Sequence, residues 1–252
     1  RELAWYKQLT ELVEIKEVER PAVPQTWIAS DNASFFMTRA KGVPICEAWA
    51  DLSPKNRRHV LSQLIEQRQA IFNLGACKAS SLDLGILNII RNDIKKEAQD
   101  KLISRYIEMR GVINSFGSID TVNGYQLKEF DPVVTIKRLG ETIANYYSDK
   151  ENINYGFIHG DLTLSNSMVD LDTLKVSILD PRGFFGNTNF YGIGDYDNGK
   201  LLYALSGYGE FNNSRSFHIK KLEDGKIEFE IPELIKDGIE DIMEEFSPIH
   251  YL

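Results

Sequence analysis

The 252-residue sequence has few cysteines and no long apolar run. Only Cys46 and Cys77 are present, too few for a disulfide framework or a cysteine metal site, which is typical of the reducing cytosol. We expect both to be buried, reduced thiols. No apolar run approaches the roughly 18 residues that a membrane-spanning helix needs, and no signal-peptide pattern opens the chain. These absences predict a cytoplasmic protein without a membrane span.

Basic residues are in the minority, with 29 Lys and Arg against 37 Asp and Glu and a formal net charge of −8. This balance argues mildly against a nucleic-acid partner, because a phosphate backbone attracts basic surfaces. It would suit a cationic acceptor, but many acidic proteins bind nothing cationic. A hydrophobic content of 42% and a charged content of 26% are ordinary for a globular protein with ample core.

Polar residues are concentrated at strand ends between residues 155 and 183. Three short apolar strands are predicted there, over residues 155–158, 167–170 and 175–179. Asp161 follows the first strand, Asn166 precedes the second and Asp180 ends the third. Rigid strand ends hold polar side chains in a fixed mutual geometry.

This pattern favours phosphoryl transfer as the chemistry. Such a site needs a carboxylate that orients the attacking hydroxyl, and oxygen ligands that hold magnesium on the nucleotide phosphates. Asp161 fits the first role, and Asn166 with Asp180 fits the second. The order of a catalytic-loop Asp, an Asn, a hairpin and a metal-binding Asp is that of kinases.

The motifs HGDLTLSN (159–166) and ILDPRG (178–183) resemble the motif pair of the aminoglycoside phosphotransferase and choline kinase family. Protein kinases carry Arg where this sequence has Gly160, which favours the small-molecule branch. Within that branch, LDPRG followed by GIGDYDNGKLLYALSGYG is similar to phosphotransferase-like proteins of bacterial capsule and surface-polysaccharide biosynthesis.

The resemblance implies an α+β fold of the protein-kinase-like, two-lobed type. A truncated N-terminal lobe would span residues 1–45, and a mostly helical C-terminal lobe with short catalytic hairpins would span residues 46–252. It also implies ATP or GTP with Mg²⁺, and a sugar, polyol or amino alcohol as acceptor. His159 joins Asp161 in the catalytic set, where it buttresses the loop rather than transferring protons.

The N-terminal segment resembles the family's helix, strand pair and hinge through RELAWYKQL, PQTWIAS and FFMTRAKGVPI. By this match Glu2 is the helix Glu that pairs with a phosphate-binding Lys. Met37, Thr38 and Arg39 are then the hinge whose backbone holds adenine. The alternative for Glu2 is a solvated first-turn carboxylate that the helix dipole favours.

The family's first strands, its phosphate-covering loop and that Lys come before this helix, whereas the sequence starts at Arg1 and has no Gly-x-Gly-x-x-Gly loop. Lys7 and Lys16 follow the helix Glu, so neither takes the role. Either the segment was removed, or the protein lacks half of its nucleotide clamp.

Hydrophobic periodicity predicts the remaining elements, and Ser53 and Asp131, each followed by Pro, are predicted helix N-caps. Helices are expected over residues 1–12, 53–75, 85–109, 131–147, 194–206 and 232–246. Strands are expected over residues 25–29 and 34–38 around an Asp31-Asn32 turn, and over 217–219 and 227–231 around Asp224-Gly225. Residues 184–193 and 207–215 are expected to be loops, the first of them bordering the site.

Within the 85–109 helix, we expect a solvated Lys95-Lys96-Glu97 stretch. Its predicted buried set is Ile86, Ile89, Ile90, Leu102, Ile103 and Tyr106.

Three more polar residues near the motifs receive structural predictions. By the resemblance, Asp197 braces the catalytic loop through backbone hydrogen bonds, and Asp195 is a helix N-cap candidate. Arg182 either contacts a phosphate or an anionic acceptor, or forms a salt bridge that holds the DPRG turn.

Two other functions remain as alternatives. A pseudokinase or nucleotide-binding scaffold is motivated by the missing Lys and loop, although the complete Asp161, Asn166 and Asp180 set argues against it. A metallophosphoesterase usually needs several His ligands, and the other three of the four histidines have no ligand-like spacing.

Overall fold

A computed structural model of the chain describes residues 1–29, 34–115, 117, 119–126, 131–206, 218–221, 225–230 and 234–246. The predicted α+β class is confirmed, because helices alternate with several small sheets. The helices are α1 (Glu2–Lys16), α2 (Ile45–Ala48), α3 (Pro54–Asn73), α4 (Leu84–Lys95), α5 (Lys101–Ser115), α6 (Pro132–Tyr146), α7 (Gly194–Leu205) and α8 (Glu240–Glu244). The predicted Asp31-Asn32 turn, the 207–215 loop and Asp224 lie outside the described residues.

The strands are short and pair into separate small sheets. They are β1 (Thr26–Ile28), β2 (Phe35–Met37), β3 (Val43–Pro44), β4 (Thr121–Val122), β5 (Tyr125–Gln126), β6 (Tyr155–Phe157), β7 (Ser167–Val169), β8 (Val176–Ile178), β9 (Phe184–Phe185), β10 (Thr188–Asn189), β11 (Tyr191–Ile193), β12 (His218–Lys221) and β13 (Lys226–Glu230). Antiparallel pairs are β1–β2, β9–β10 and β6–β11, and β3–β7–β8 forms an antiparallel three-stranded sheet. A fifth, four-stranded sheet has the order β12–β13–β4–β5, with β13 and β4 parallel.

Two predicted helix caps are confirmed. The Ser53 hydroxyl accepts a hydrogen bond from the Asn56 N–H at the start of α3, and the Asp131 carboxylate accepts from two N–H groups at the start of α6. In both helices proline occupies the first turn, where its missing N–H costs no hydrogen bond.

The predicted helix over residues 85–109 is wrong in its interior. A π-helical turn, Lys96–Asp100, joins α4 to α5. Because this turn is wider than an α-helical turn, the side chains after it point in other directions than a continuous α-helix predicts. The buried face of α4 is formed by Leu87, Ile90, Asp93 and Ile94, while Ile86, Ile89 and Leu102 are exposed. Glu97 is buried rather than solvated.

Two further predictions of local structure need correction. Residues 184–193 are not an irregular loop, because they contain the three strands β9, β10 and β11. The last helix is much shorter than the predicted 232–246, with 234–239 outside it and residues 231–233 not described. Neither cysteine forms a disulfide. Cys77 is exposed and Cys46 is only partly buried, so the predicted burial of both is wrong. Among the described residues, no helix is both long and apolar enough to cross a membrane.

Strand β6 lies between two hydrophobic clusters. Phe157 packs in the larger cluster, which includes Trp5 and Leu9 of α1 and Leu61 of α3. The next residue, Ile158, packs in the second cluster with α4 and α6 side chains. Successive residues of an extended chain point to opposite sides, so both clusters fix the chain where the catalytic-loop motif begins.

Candidate active site

Helix α7 anchors the loop that begins at His159. The Asp197 carboxylate is almost fully buried, and its two oxygens accept hydrogen bonds from the backbone N–H groups of His159 (2.9 Å) and Gly160 (2.8 Å). The predicted bracing by Asp197 is confirmed. Asp195 is not the N-cap of α7, because the helix starts at Gly194 and the Asp195 carboxylate accepts from the Tyr147 hydroxyl instead.

His159 is buried, and its ring links the segments of chain that follow β6 and β8. Its Nε2 lies 2.8 Å from the Leu179 carbonyl oxygen, and its Nδ1 lies 3.3 Å from the Asp161 N–H. Burial lowers the pKa of the imidazole, despite the nearby Asp197 charge. A neutral ring with its proton on Nε2 satisfies both contacts. His159 is therefore engaged within the protein, which matches the buttressing role and leaves neither nitrogen for a metal.

Asp161 is held by one amide and one ammonium group. The Asn166 Nδ2 donates to the Asp161 backbone oxygen (2.9 Å) and to its Oδ2 (3.2 Å), while Lys200 Nζ lies 2.8 Å from Oδ1. Burial raises the pKa of Asp161, but the hydrogen bond and charge of Lys200 outweigh it, so the pKa lies below its usual range. A carboxylate that stays ionised is well suited to orienting a hydroxyl group. It is less suited to removing the hydroxyl proton early in the reaction.

The β7–β8 hairpin brings Asn166 beside Asp180. Ser167 pairs with Ile178 across the hairpin, and the Leu179 N–H donates to the Asn166 backbone oxygen at 2.9 Å. Asp180 follows directly, with an exposed side chain and a φ of 56° in the left-handed region. Such a backbone is uncommon for a residue other than glycine and is concentrated at functional sites.

Helix α1 adds a second carboxylate close to Asp180. Burial raises the pKa of Glu2, and the Asp180 charge raises it further. Burial and then the Glu2 charge raise the pKa of Tyr6, whose hydroxyl lies near the Asp180 backbone. Among the described residues, no ion pair with Lys or Arg is formed by Glu2 or Asp180. Two neighbouring carboxylates that lack a Lys or Arg partner in the described part of the chain are a suitable environment for a metal cation.

These residues fit a magnesium ion by donor chemistry. Asn166 uses its Nδ2 for Asp161, which leaves its amide oxygen as an acceptor, and Asp180 directly follows Leu179, whose N–H bonds to the Asn166 backbone. Carboxylate and amide oxygens are preferred by Mg²⁺, which usually takes one or two protein ligands together with substrate phosphates. In the described part of the chain, no group of three or more His, Cys, Asp or Glu is placed to hold a metal.

Arg182 holds the DPRG turn through a salt bridge, the second of its two predicted roles. Its guanidinium makes two hydrogen bonds to Glu97 (2.7 and 3.1 Å) and lies over the Phe184 ring. Burial raises the pKa of Glu97, but the hydrogen bonds from Arg182 and Lys101 outweigh it and lower the pKa to about 2. The π-helical turn thus supplies the partner that fixes Arg182.

Of the predicted hinge residues, Met37 ends β2, and Thr38 and Arg39 begin a connector that is held at both ends. Thr38 exchanges hydrogen bonds with Gln25, so its backbone N–H is already used, and the side chains of Met37 and Arg39 are exposed. At the other end, Gly42 has a φ of 96°, and a Cβ there would lie 1.8 Å from the Val169 oxygen. Only glycine allows this approach of the connector to β7.

A cavity of about 580 Å³ has Lys200 in its wall. It is bordered by α4, the π-helical turn, α5, α6 and α7, and it includes Glu97, Tyr196 and Lys200 in its wall. Because Lys200 also pairs with Asp161, the cavity is one side chain away from the predicted catalytic carboxylate.

Sequence reasoning missed Lys200, Glu97 and Trp5. Lys200 lies one helical turn after Asp197, and that spacing was a usable signal, because residues three apart share a helix face. Trp5 is fully buried and its Nε1 donates to the Ile158 carbonyl oxygen (2.7 Å) just before the predicted catalytic loop.

Comparison of the sequence with protein-family models gives no match, and comparison with curated proteins gives none either.

Proposed function

We propose that the chain is a small-molecule kinase with a protein-kinase-like, two-lobed fold. It would transfer the terminal phosphate of ATP or GTP to a hydroxyl of a small acceptor. The division at residue 45 into a partial N-terminal lobe and a helical C-terminal lobe belongs to this proposal. The observation that carries it is the joining of Asp161, Asn166 and the residue before Asp180 by hydrogen bonds.

In this mechanism Asp161 accepts a hydrogen bond from the acceptor hydroxyl and orients its oxygen. The oxygen forms a bond to the terminal phosphorus while the bond to the leaving nucleoside diphosphate breaks, and the hydroxyl proton passes to the Asp161 carboxylate. Asn166 and Asp180 would hold magnesium, which neutralises phosphate charge when it is bound. Lys200 keeps Asp161 ionised, and His159 with Asp197 fixes the loop.

The substitution Asp161→Asn tests the assignment most simply. It keeps the size of the side chain and removes the proton acceptor, so nucleotide affinity should change little. Release of ADP in the presence of an acceptor should fall by about 10²–10⁴-fold. Asp172→Asn, in the exposed β7–β8 turn, is the matched control. Comparable turnover by Asp161→Asn and wild type would remove Asp161 from its role.

A nucleotide-binding module without transfer is the second candidate. It is favoured by Glu2, which forms no ion pair with a lysine in the described part of the chain. The same assays separate the two functions. A module of this kind would bind nucleotide and release no ADP with any acceptor, in wild type as in Asp161→Asn.

A further inference from the structure

The cavity beside Lys200 has the size and lining of a site for one small organic molecule. Its volume of about 580 Å³ lies within the usual range for such sites. Most of its surface is apolar, and the apolar side chains include Ile94, Ala98, Leu102, Ile143, Phe185 and Met243. A fully hydrophilic sugar would leave this wall without complementary contacts, whereas an aliphatic or aromatic body would cover it.

The charged groups of the cavity are mainly cationic. Its lining contains the four cations Lys101, Arg105, Lys200 and Lys236, against the two acids Glu97 and Asp195. Both acids are engaged, since Glu97 binds Lys101 and Arg182 and Asp195 accepts from the Tyr147 hydroxyl.

Two of these cations form no ion pair with an acid of the described part of the chain. Lys200 pairs with Asp161 and Lys101 pairs with Glu97. Arg105 and Lys236 are exposed at the cavity, and no ion pair is formed by either within the described ranges. The local charge is thus opposite to the net charge of −8 of the whole chain.

Electrostatics near Lys101 supports a positive potential in the cavity. Burial lowers the pKa of Lys101, and the charges of Arg182 and Lys200 lower it further, against the effect of Glu97. Cations that repel one another at an apolar wall favour an added anion.

We infer that the acceptor of the proposed kinase is an anionic amphiphile, an alcohol with an apolar body and a carboxylate, sulfate or phosphate group. The apolar body fills the cavity, the anionic group binds Arg105 and Lys236, and the hydroxyl reaches Asp161 past Lys200. The part that concerns the hydroxyl rests on the proposed function. The preference for an anion with an apolar body rests on the cavity alone.

Two fluorescent probes that share an apolar body test this preference by binding. Anilinonaphthalene sulfonate is anionic, and phenylnaphthylamine is the same ring system without the sulfonate. The folded wild-type chain should bind the sulfonate more tightly than the uncharged probe, by roughly tenfold or more, the effect of one charge-assisted contact. Equal affinity for the two probes would overturn the inference.

Surface variants locate the effect in the cavity. The double variant Arg105→Gln/Lys236→Gln should weaken sulfonate binding by roughly tenfold and leave the uncharged probe unchanged. Its control is Arg110→Gln/Lys55→Gln, which removes two exposed cations that are not part of the cavity lining. Equal losses in both double variants would contradict an anion site at Arg105 and Lys236.

An acid placed in the wall gives an independent readout. Leu102→Glu should repel the sulfonate more than the uncharged probe, whereas Ile107→Glu on the same helix should affect neither. Both positions are exposed, at 40% and 59%, so both variants should fold, and only Leu102 lines the cavity. Identical behaviour of the two variants would place the bound probe elsewhere and count against the inference.

An activity comparison separates the failure of this inference from failure of the proposed function. The acceptors are an alkyl glucoside and the alkyl glucuronide of the same chain length, each with ATP and magnesium. ADP release with the glucuronide in preference to the glucoside supports the inference. Turnover of the glucoside alone would overturn it and leave the kinase proposal intact. Charge-selective probe binding without ADP release from either would support the cavity assignment and contradict the kinase proposal.

Discussion

At the scale of single residues, the chemistry of the site depends on the environment of Asp161. The carboxylate lies between the Asn166 amide and the Lys200 ammonium, and it retains an exposed fraction of 39%. Burial and the Lys200 charge act on its pKa in opposite directions, and the cation prevails. The carboxylate is therefore ionised at neutral pH and able to orient a hydroxyl.

Lys200→Met should shift the acid limb of the activity profile. In the proposed reaction activity needs ionised Asp161, so it should be lost as pH falls through the pKa of that carboxyl group. Without the ammonium the effect of burial remains, the pKa rises, and the limb moves to higher pH. The loss of kcat/KM relative to wild type should accordingly be larger at pH 5 than at pH 8. Lys200→Arg should keep the wild-type profile, and an unchanged limb in Lys200→Met would contradict the assigned contact.

At the scale of elements, α7 and the β7–β8 hairpin hold the two halves of the site. Asp197 on α7 accepts from the N–H groups of His159 and Gly160. The hairpin places Asn166 next to Leu179, and His159 Nε2 bonds to Leu179 from the other side. The loop, the helix and the hairpin are thus one hydrogen-bonded unit.

Asp197→Ala should destabilise the fold by about 2–5 kcal/mol, because it leaves two buried N–H groups without an acceptor. Asp197→Asn keeps one amide oxygen for one of these N–H groups and should cost less. Urea unfolding measures both, with Asp172→Ala as an exposed control that is expected to lie within about 0.5 kcal/mol of wild type. A loss for Asp197→Ala as small as that of the control would refute the bracing role.

Much of the site was predictable from the sequence at these two scales, because the residues that indicate it lie within short stretches of the chain. The strand-end positions of Asp161, Asn166 and Asp180 follow from short apolar runs, and the Ser53 and Asp131 caps follow from residue type. Glu97 was mispredicted because its neighbours Lys95 and Lys96 suggest a solvated turn. Its partner Arg182 lies 85 positions away, and nothing in the local pattern indicates the π-helical turn.

Contacts over long sequence separations also explain the other omissions. Trp5 bonds to a carbonyl group 153 positions later, and Lys200 reaches Asp161 only because α7 docks against the loop. The predicted hinge residues Met37, Thr38 and Arg39 remain a prediction, with the Thr38 N–H already bonded to Gln25.

At the scale of the whole molecule, the first helix is part of the main core. Trp5, Tyr6 and Leu9 are fully buried in the larger hydrophobic cluster. Trp5 stacks on Phe157 and packs edge-on against His159. The same helix carries Glu2 beside Asp180, so the packing of α1 and the geometry of the site are coupled.

Trp5→Ala should lower the free energy of unfolding by about 3–5 kcal/mol, since it removes a large buried side chain and leaves a cavity. Trp27→Ala is the matched control, because Trp27 on β1 is 52% exposed and should cost much less. Chemical denaturation of the two variants gives the comparison. Equal losses would mean that α1 contributes no more to the core than an exposed strand does.

Asn166 and Asp180 are proposed to form the magnesium–nucleotide part of a phosphoryl-transfer site. The most direct test of this proposal is calorimetric titration with ATP and with GTP, each with and without magnesium, on wild type and Asp180→Ala. The natural gene product is used, with any segment that precedes Arg1. Binding should require magnesium in wild type and weaken by roughly tenfold or more in Asp180→Ala, with Asp172→Asn unchanged. Binding that is absent, independent of magnesium or unaffected by Asp180→Ala would contradict the proposal.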